Sequence, residues 1–203
     1  MRLKDLAETT GTSPASIKYY LREGLLRPGR RINATLAEYD DSHVARLHLI
    51  TALRQIVGSP IEEIRSLVAM LDAPEVDLYS AFGRAQLLGL GLPGDHRPAV
   101  DEEPEQVTRL VEARGWVEAV EIRALLAEQV RTMNDLGIET SAQTLEVYAD
   151  AADRIARMEV GVITAATSPD EAVMRVAVGV HSYSRLLLRM LGVAQAGVAR
   201  SAT

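Results

Sequence analysis

The chain has 203 residues, of which 47% are hydrophobic and 25% are charged, and it contains no cysteine. Disulfides and thiolate metal sites are therefore excluded, and no apolar run is long enough for a membrane helix. The net charge of −6 is unevenly distributed, because residues 1–65 carry +2 and the remaining residues carry −8. Between residues 14 and 31, five cations face Glu23 alone. This segregation favours contact between the N-terminal part and phosphate.

The first two helices are predicted by their end signals. Residues 3–9 repeat apolar side chains on one helical face, and Gly11 provides a turn after them. Ser13 is a hydroxyl N-cap, and Pro14 follows it at the first helical position, where the missing N–H costs nothing. Gly24 stands where the second helix needs a left-handed C-cap. Two short helices joined in this way are typical of a helix-turn-helix.

Cations, a hydroxyl and phenol rings share one face of the second helix. Side chains four residues apart lie on the same side of a helix, which places Lys18 beside Arg22. Ser16 is the candidate for base reading, because it is short, polar and near the N-terminus of the helix. The predicted DNA-binding residues of this helix are Ser16, Lys18, Tyr19, Tyr20 and Arg22.

The residues that follow make the pattern specific. Residues 16–26 (Ser-Ile-Lys-Tyr-Tyr-Leu-Arg-Glu-Gly-Leu-Leu) and the basic turn at 27–31 resemble the DNA-binding domain of the MerR family of transcription regulators. Further matching segments extend the resemblance over residues 1 to about 71. The resemblance implies a winged helix-turn-helix whose second helix enters the major groove and whose wing grips phosphates. By position, it implies that Arg30 and Arg31 are the wing contacts.

One segment of the wing departs from the family. The family usually has Gly-Tyr-Arg shortly before Tyr39, whereas this chain has Thr35-Leu36-Ala37. The usual wing arginine is therefore missing, and Arg30 and Arg31 are the candidates to compensate for it. A short hairpin over residues 30–39 is the only β structure that we expect.

Two further helices complete the N-terminal domain. Asp40 or Asp41 begins a third helix, whose apolar residues keep helical spacing. Ser59 and Pro60 open a fourth helix, with Ser59 predicted to supply the hydroxyl of a capping box. Residues 1–72 are therefore expected to form one domain.

Residues 73–103 are predicted to be a short helix followed by a linker. Leu78, Phe82 and Ala85 support about three helical turns, and residues 89–104 are rich in glycine, proline and acids. The family commonly continues here with a long coiled-coil helix that pairs two subunits. Its heptads are missing from this chain, so the dimer is expected to form elsewhere.

Residues 104–203 are predicted to form a helical bundle that senses an effector and dimerises. Apolar spacing predicts helices from Pro104, over about 118–136 and about 141–164, and from Pro169 to Leu191. Residues 192–203 are expected to be frayed. The predicted fold class is therefore all-α, with a short β wing in the N-terminal domain.

The last predicted helix is apolar on more than one face. In a small bundle, such a helix is expected to be shared with a second subunit across a two-fold axis. The residues of this predicted dimer interface are Val173, Val176, Val180, Leu187 and Leu191.

The sequence offers few residues for other chemistry. Trp116, Tyr148 and Tyr183 are candidates to line an effector pocket, since such pockets combine apolar walls with a few polar groups; ordinary core packing is the alternative interpretation. No phosphate-binding loop, closely spaced metal ligands or catalytic triad is recognisable. We therefore expect no enzyme activity, no cofactor and no metal.

These features favour a bacterial transcription regulator that is cytoplasmic and associated with the nucleoid. The resemblance implies a homodimer on a palindromic promoter site, where a small-molecule effector makes the protein twist an over-long spacer so that RNA polymerase engages. Repression by occlusion of the promoter stays open. The alternative is a drug-sequestering resistance protein whose helical domain binds a toxic small molecule.

Overall fold

The computed structural model describes residues 1–33, 36–94, 103–116, 120–160 and 166–201. Contacts within the chain divide it into two compact units: unit 1 contains residues 1–94 and 166–203, and unit 2 contains residues 95–165. The described residues are mainly helical with one two-stranded sheet, which confirms the predicted fold class. The assignment of separate functions to residues 1–72, 73–103 and 104–203 stays a prediction.

Unit 1 begins with the short helices and the hairpin that the sequence predicts. Its first elements are α1 (Leu3–Thr10), α2 (Pro14–Arg22), β1 (Arg30–Arg31), β2 (Ala37–Glu38), α3 (Asp41–Ala52), α4 (Ile61–Leu71) and α5 (Leu78–Gly89). α3 continues directly into a single π-helical segment, Leu53–Val57. Gly24 follows α2 with φ of 72°, the left-handed conformation that glycine adopts without a steric penalty.

The first core of unit 1 seats α2 against α1, the wing and α3. Its fully buried members come from separate elements, so burial of their apolar surface fixes the angle of α2. The cluster consists of Leu6, Ile17, Leu26, Tyr39 and Leu47.

The wing is a two-stranded antiparallel hairpin. Arg30 pairs with Glu38 and Arg31 pairs with Ala37. This confirms a hairpin within residues 30–39, whereas the predicted departure at Thr35 lies outside the described residues.

The predicted capping box at Ser59 is wrong. α4 begins at Ile61 with Pro60 as its N-cap, and no side chain caps it. Because the helix starts one residue later than the sequence predicts, the Ser59 hydroxyl is not used at the helix N-terminus. Ser59 is buried instead, and its backbone N–H donates to the carbonyl oxygen of Leu53 at 2.9 Å.

The described residues of unit 2 form three helices: α6 (Glu105–Arg114), α7 (Val120–Asp135) and α8 (Ala142–Val160). They enclose a small core of Val107, Val111, Ala127 and Val130. All three were predicted, although the predicted helical residues 118–119 and 161–164 lie outside the described residues. Residues 95–102 of the predicted linker also lie outside them.

The last helix, α9 (Pro169–Ser201), has 33 residues and belongs to unit 1. It begins at the predicted proline, but it does not end at Leu191. The expectation that the tail frays after Leu191 is wrong as far as Ser201, because α9 remains helical there. The side chains of residues 192–201 are exposed within the described chain. Residues 202–203 lie outside the described residues.

Candidate nucleic-acid interface

α2 presents its cations outward because its apolar side is fixed in the core. Ile17 is fully buried, while Lys18 and Arg22 are exposed. The Ser13 hydroxyl caps the helix by accepting from the backbone N–H of Ser16 at 3.0 Å. The Ser16 hydroxyl lies 2.8 Å from that of Ser13, at the N-terminal end of the helix.

The two tyrosines of α2 have different surroundings. The guanidinium of Arg22 lies over the ring of Tyr19, 5.3 Å from its centre, which is a cation–π arrangement. The rings of Tyr19 and Tyr20 meet edge to face with their centres 5.7 Å apart. Tyr20 also packs against the first core of unit 1, so its ring is partly buried. Tyr19 therefore holds Arg22 in place, while Tyr20 also anchors the helix.

The two wing arginines are not equivalent. Arg30 forms an ion pair with Glu38, its partner in the hairpin register. The hydrogen bond and charge of Arg30 lower the pKa of Glu38, which keeps that carboxylate ionised. The Nε of Arg31 donates to the carbonyl oxygen of Asn33 at 3.2 Å, and the side chain is exposed. Glu38 therefore offsets much of the charge of Arg30.

Comparison with known proteins supports this geometry. The family model described as "MerR HTH family regulatory protein" matches residues 1–71. These residues carry α1 to α4 and the wing, which is the part of the chain that the sequence patterns single out. Residues 1–71 are therefore similar to the MerR family, and we call them the MerR domain.

Curated relatives match about a third of the chain. A ZntR homolog of Haemophilus influenzae, an HTH-type transcriptional regulator, is 32% identical over 73 residues, which are 36% of this chain and 53% of that protein. The transcriptional regulator CueR of Escherichia coli is 32% identical over 75 residues, covering 37% and 55%. The chain thus spans about half the length of these relatives.

One solved structure matches nearly the whole chain. It is that of the candidate transcriptional regulator SCO5550 from Streptomyces coelicolor A3(2), with 26% identity and a TM-score of 0.72. The match covers 98% of this chain and 96% of the other. The helices that follow the MerR domain are therefore similar to those of another protein described as a regulator.

Arg54 lies beside α2, and sequence reasoning missed it. Its side chain is exposed and borders a groove of about 360 Å³ together with Ser16, Tyr19 and Tyr20. Its guanidinium donates to the carbonyl oxygen of Ser59 at 3.3 Å. Arg54 belongs to the π-helical segment. A π-helix changes the number of residues per turn, so the spacing of an α-helix does not predict which way the Arg54 side chain points.

Arg65 holds the C-terminal end of α2. One guanidinium nitrogen donates to the Glu23 carboxylate at 2.9 Å, and another donates to the Glu23 carbonyl oxygen at 3.4 Å. The Nε of Arg22 lies 3.7 Å from the same carboxylate. Arg65 lies 42 positions from Glu23, so no local spacing predicts this contact.

Arg46 links the MerR domain to the first turn of α9, which sequence reasoning also missed. Its side chain is 8% exposed, and it forms ion pairs with Asp72 at 2.8 Å and with Asp170. Arg27 pairs with Asp72 at 2.8 Å as well. Burial alone would raise the pKa of Asp72, but the hydrogen bonds and charges of Arg46 and Arg27 lower it overall. The Asp72 carboxylate therefore stays ionised beside a buried guanidinium.

The predicted effector residues lie in separate environments. Trp116 packs against the core of unit 2, and its indole N–H donates to the Asp153 carboxylate at 3.1 Å. Tyr148 of unit 2 is 63% exposed, and Tyr183 belongs to α9 in unit 1. Their common role in one pocket stays a prediction.

Burial corrects part of the predicted dimer interface. Val173 and Val176 lie in the core of unit 1, because α9 packs there against α3 and α5. Val180 approaches Gly89 of α5 so closely that a Cβ added to Gly89 would lie 2.8 Å from the Val180 Cβ. Leu187 and Leu191 are exposed. The exposed apolar side chains of α9 therefore lie on the C-terminal half of the helix.

The described residues contain no group of three or more histidine, aspartate and glutamate side chains placed to hold a metal ion. Within the same ranges, every helix is too short or too polar to span a lipid bilayer.

Proposed function

We propose that the chain regulates transcription by binding double-stranded promoter DNA through α2 and the wing. The observation that supports this most strongly is the exposed cationic face of α2, built on a helix whose other side is fixed in the MerR core. A helix with its base-reading end free and its flanks basic is the arrangement that helix-turn-helix proteins place in a major groove.

The contacts divide into two classes by chemistry. Lys18, Arg22 and Arg31 are exposed cations and are assigned to phosphates, which supply affinity without sequence information. Ser16 is assigned to a base edge, because its short hydroxyl lies near the helix N-terminus. The ring of Tyr20 is assigned to anchoring α2 against the core, and its hydroxyl is a further candidate for a contact with DNA.

The test is a footprint on the DNA upstream of the gene, followed by binding titrations of the protected duplex at several salt concentrations. Arg22→Ala is expected to lower the slope of log K against log salt by about one, because one phosphate contact is lost. Arg109→Ala is the matched control, since Arg109 is an exposed arginine of unit 2 paired with Glu105. An unchanged slope and affinity for Arg22→Ala would remove α2 from the interface.

We propose further that the protein acts as a homodimer joined by the C-terminal half of α9. From Tyr183 to Val198 this helix exposes seven large apolar side chains besides the tyrosine. Tyr183, Leu187 and Met190 follow the four-then-three spacing of a coiled-coil seam. A second copy covers such a stripe with an identical stripe across a two-fold axis. A dimer also matches two half-sites that lie about one DNA turn apart.

Leu187→Glu tests the dimer, because it places a charge in the centre of the proposed seam while leaving the core of unit 1 intact. We expect monomers that retain their helicity and lose cooperative DNA binding. Val147→Glu is the control, since Val147 is an apolar residue on α8 that is even more exposed than Leu187. A dimer that survives Leu187→Glu in sedimentation would place the subunit contact elsewhere.

The palindromic site and the response to a small molecule are parts of the same proposal. They are supported by the MerR domain and by the presence of a second helical unit with its own core. The footprint, repeated with candidate effectors, tests both: two symmetric protected half-sites and a ligand-dependent change are expected.

A further inference from the structure

The wing carries two adjacent arginines, and a carboxylate stands opposite the first of them. Arg30 pairs with Glu38 across the hairpin. Arg31 pairs with Ala37, and successive side chains of a strand point to opposite faces. Arg30 and Glu38 therefore share one face of the wing, where the guanidinium donates to the carboxylate. The proposed function assigns Arg31 to a phosphate and gives Arg30 no role.

The ion pair between Arg30 and Glu38 is open to solvent. The Arg30 side chain is 79% exposed, and that of Glu38 is 42% exposed. Exposed pairs of this kind contribute little to folding stability. The hairpin also has backbone hydrogen bonds of its own, such as that from the Ile32 N–H to the Leu36 carbonyl oxygen at 2.9 Å. The wing therefore does not depend on this ion pair for its structure.

A carboxylate and a phosphate compete for the same donors of an arginine. The planar guanidinium matches either anion with two parallel N–H groups. The hydrogen bond and charge of Arg30 lower the pKa of Glu38, so the carboxylate is charged at neutral pH. A phosphate that binds Arg30 must consequently displace Glu38, and it then lies beside a second negative charge.

We propose that Glu38 is an autoinhibitory residue of the DNA interface, whose carboxylate withholds Arg30 from phosphate and lowers the affinity of the wing for duplex DNA of any sequence. Phosphate contacts supply affinity without sequence information. Glu38 therefore weakens binding to unrelated DNA as much as binding to the promoter site, and recognition depends more on α2. This inference rests on the proposed function, because it takes DNA as the polyanion that Arg30 would bind.

Glu38→Gln tests the inference, because it removes the negative charge and keeps the size of the side chain. Arg30 is then free to neutralise one more phosphate, so the slope of log K against log salt should become steeper by about 0.9. The gain in affinity over the wild-type chain should be about threefold larger at about 50 mM salt than at about 200 mM. An unrelated duplex should show the same gain as the promoter duplex.

Two further variants separate the withheld arginine from a general effect of charge. Glu105→Gln makes the same change in net charge at the exposed pair of Glu105 and Arg109 in unit 2, and it should leave the slope unchanged. Glu38→Gln combined with Arg30→Ala should have the slope of Arg30→Ala alone. A gain of equal size without Arg30 overturns the inference, because Glu38 would then act only by repelling phosphate. An unchanged slope in Glu38→Gln overturns it as well.

A titration with inorganic pyrophosphate distinguishes failure of this inference from failure of the proposed function. The NMR signal of the Arg30 Nε–H in the full chain reports binding of the anion at low ionic strength. It should half-saturate at an about fivefold lower concentration in Glu38→Gln than in the wild-type chain, which is the effect of one unit charge about 4 Å away in water. Equal concentrations overturn the inference, whether or not the chain binds DNA. If the wild-type chain binds no duplex, the proposed function fails, and the pyrophosphate result still decides whether Glu38 withholds Arg30.

The backbone amide signals of Ile32 and Tyr39 show in the same spectra whether the hairpin is intact. If Glu38→Gln disturbs the hairpin, Glu38→Thr takes its place, because threonine favours strands and carries no charge.

Discussion

The buried ion pairs of Arg46 allow a sharp prediction about stability. Arg46→Met replaces the guanidinium with an apolar side chain and leaves Asp72 and Asp170 without their common partner. The side chains of these carboxylates are 26% and 16% exposed, so water compensates only partly for the loss. Breaking a buried pair from one side costs about 3–5 kcal/mol. We expect about 3 kcal/mol here, because Asp72 keeps Arg27 as a second partner.

The free energy of unfolding is measured by urea denaturation, with hydrogen exchange of α3 and α9 to localise the change to unit 1. A loss of about 3 kcal/mol corresponds to a decrease in Tm of roughly 6–12 °C for a domain of this size. Arg109→Met is the control. Its pair with Glu105 is fully at the surface, where such pairs contribute about 0–1 kcal/mol.

A second comparison separates the charge effect from a packing effect. The triple variant Arg46→Met, Asp72→Asn, Asp170→Asn removes the uncompensated carboxylates and should recover part of the lost stability, since replacing a whole buried pair is often close to neutral. The reasoning is refuted if Arg46→Met costs less than 1 kcal/mol. It is also refuted if the triple variant is less stable than Arg46→Met.

The remaining predictions concern the wing, the contact between α5 and α9, and acid pH. Arg31→Ala should weaken DNA binding more than Arg30→Ala, because Glu38 already offsets Arg30; titrations of both variants would contradict this if the order is reversed. Gly89→Ala should destabilise unit 1 by about 1–3 kcal/mol, because the new Cβ would lie 2.7 Å from the Ala177 carbonyl oxygen. Gly83→Ala on the same helix meets nothing within 4 Å and should stabilise the helix by up to about 1 kcal/mol; urea denaturation of the two variants gives the comparison. The pKa of Asp72 is lower in the folded protein than its usual value of 3.8. Its contribution to stability is therefore complete above that value and is lost as pH falls through the folded pKa. The stability of Asp72→Asn, measured by urea denaturation, should consequently vary less with pH below about 4 than that of the wild-type chain.

The site was predictable from the sequence where its signals are local. The Ser13 cap, the left-handed Gly24 and the shared face of Lys18 and Arg22 each depend on residues within a few positions of one another. The MerR resemblance then supplied the wing, whose hairpin the structure confirms. The difference between Arg30, which is paired with a carboxylate, and Arg31 was not predictable, because it depends on the hairpin register that places Glu38 opposite Arg30.

The amino-acid sequence alone determined the helical fold class, the position of α2 and the basic character of its exposed face. Those properties follow from helix periodicity, end caps and charge, which act over one or two turns. The apolar character of α9 was also evident from its sequence.

Only the tertiary structure decided how α9 is used and where buried polar groups find partners. Val173 and Val176 are covered by the chain's own α3 and α5, whereas Leu187 is left exposed, and composition does not distinguish these residues. Arg46 and Asp170 are 124 positions apart, yet they form one ion pair. Burial and long-range pairing depend on which elements pack together, and that choice is made by the whole core.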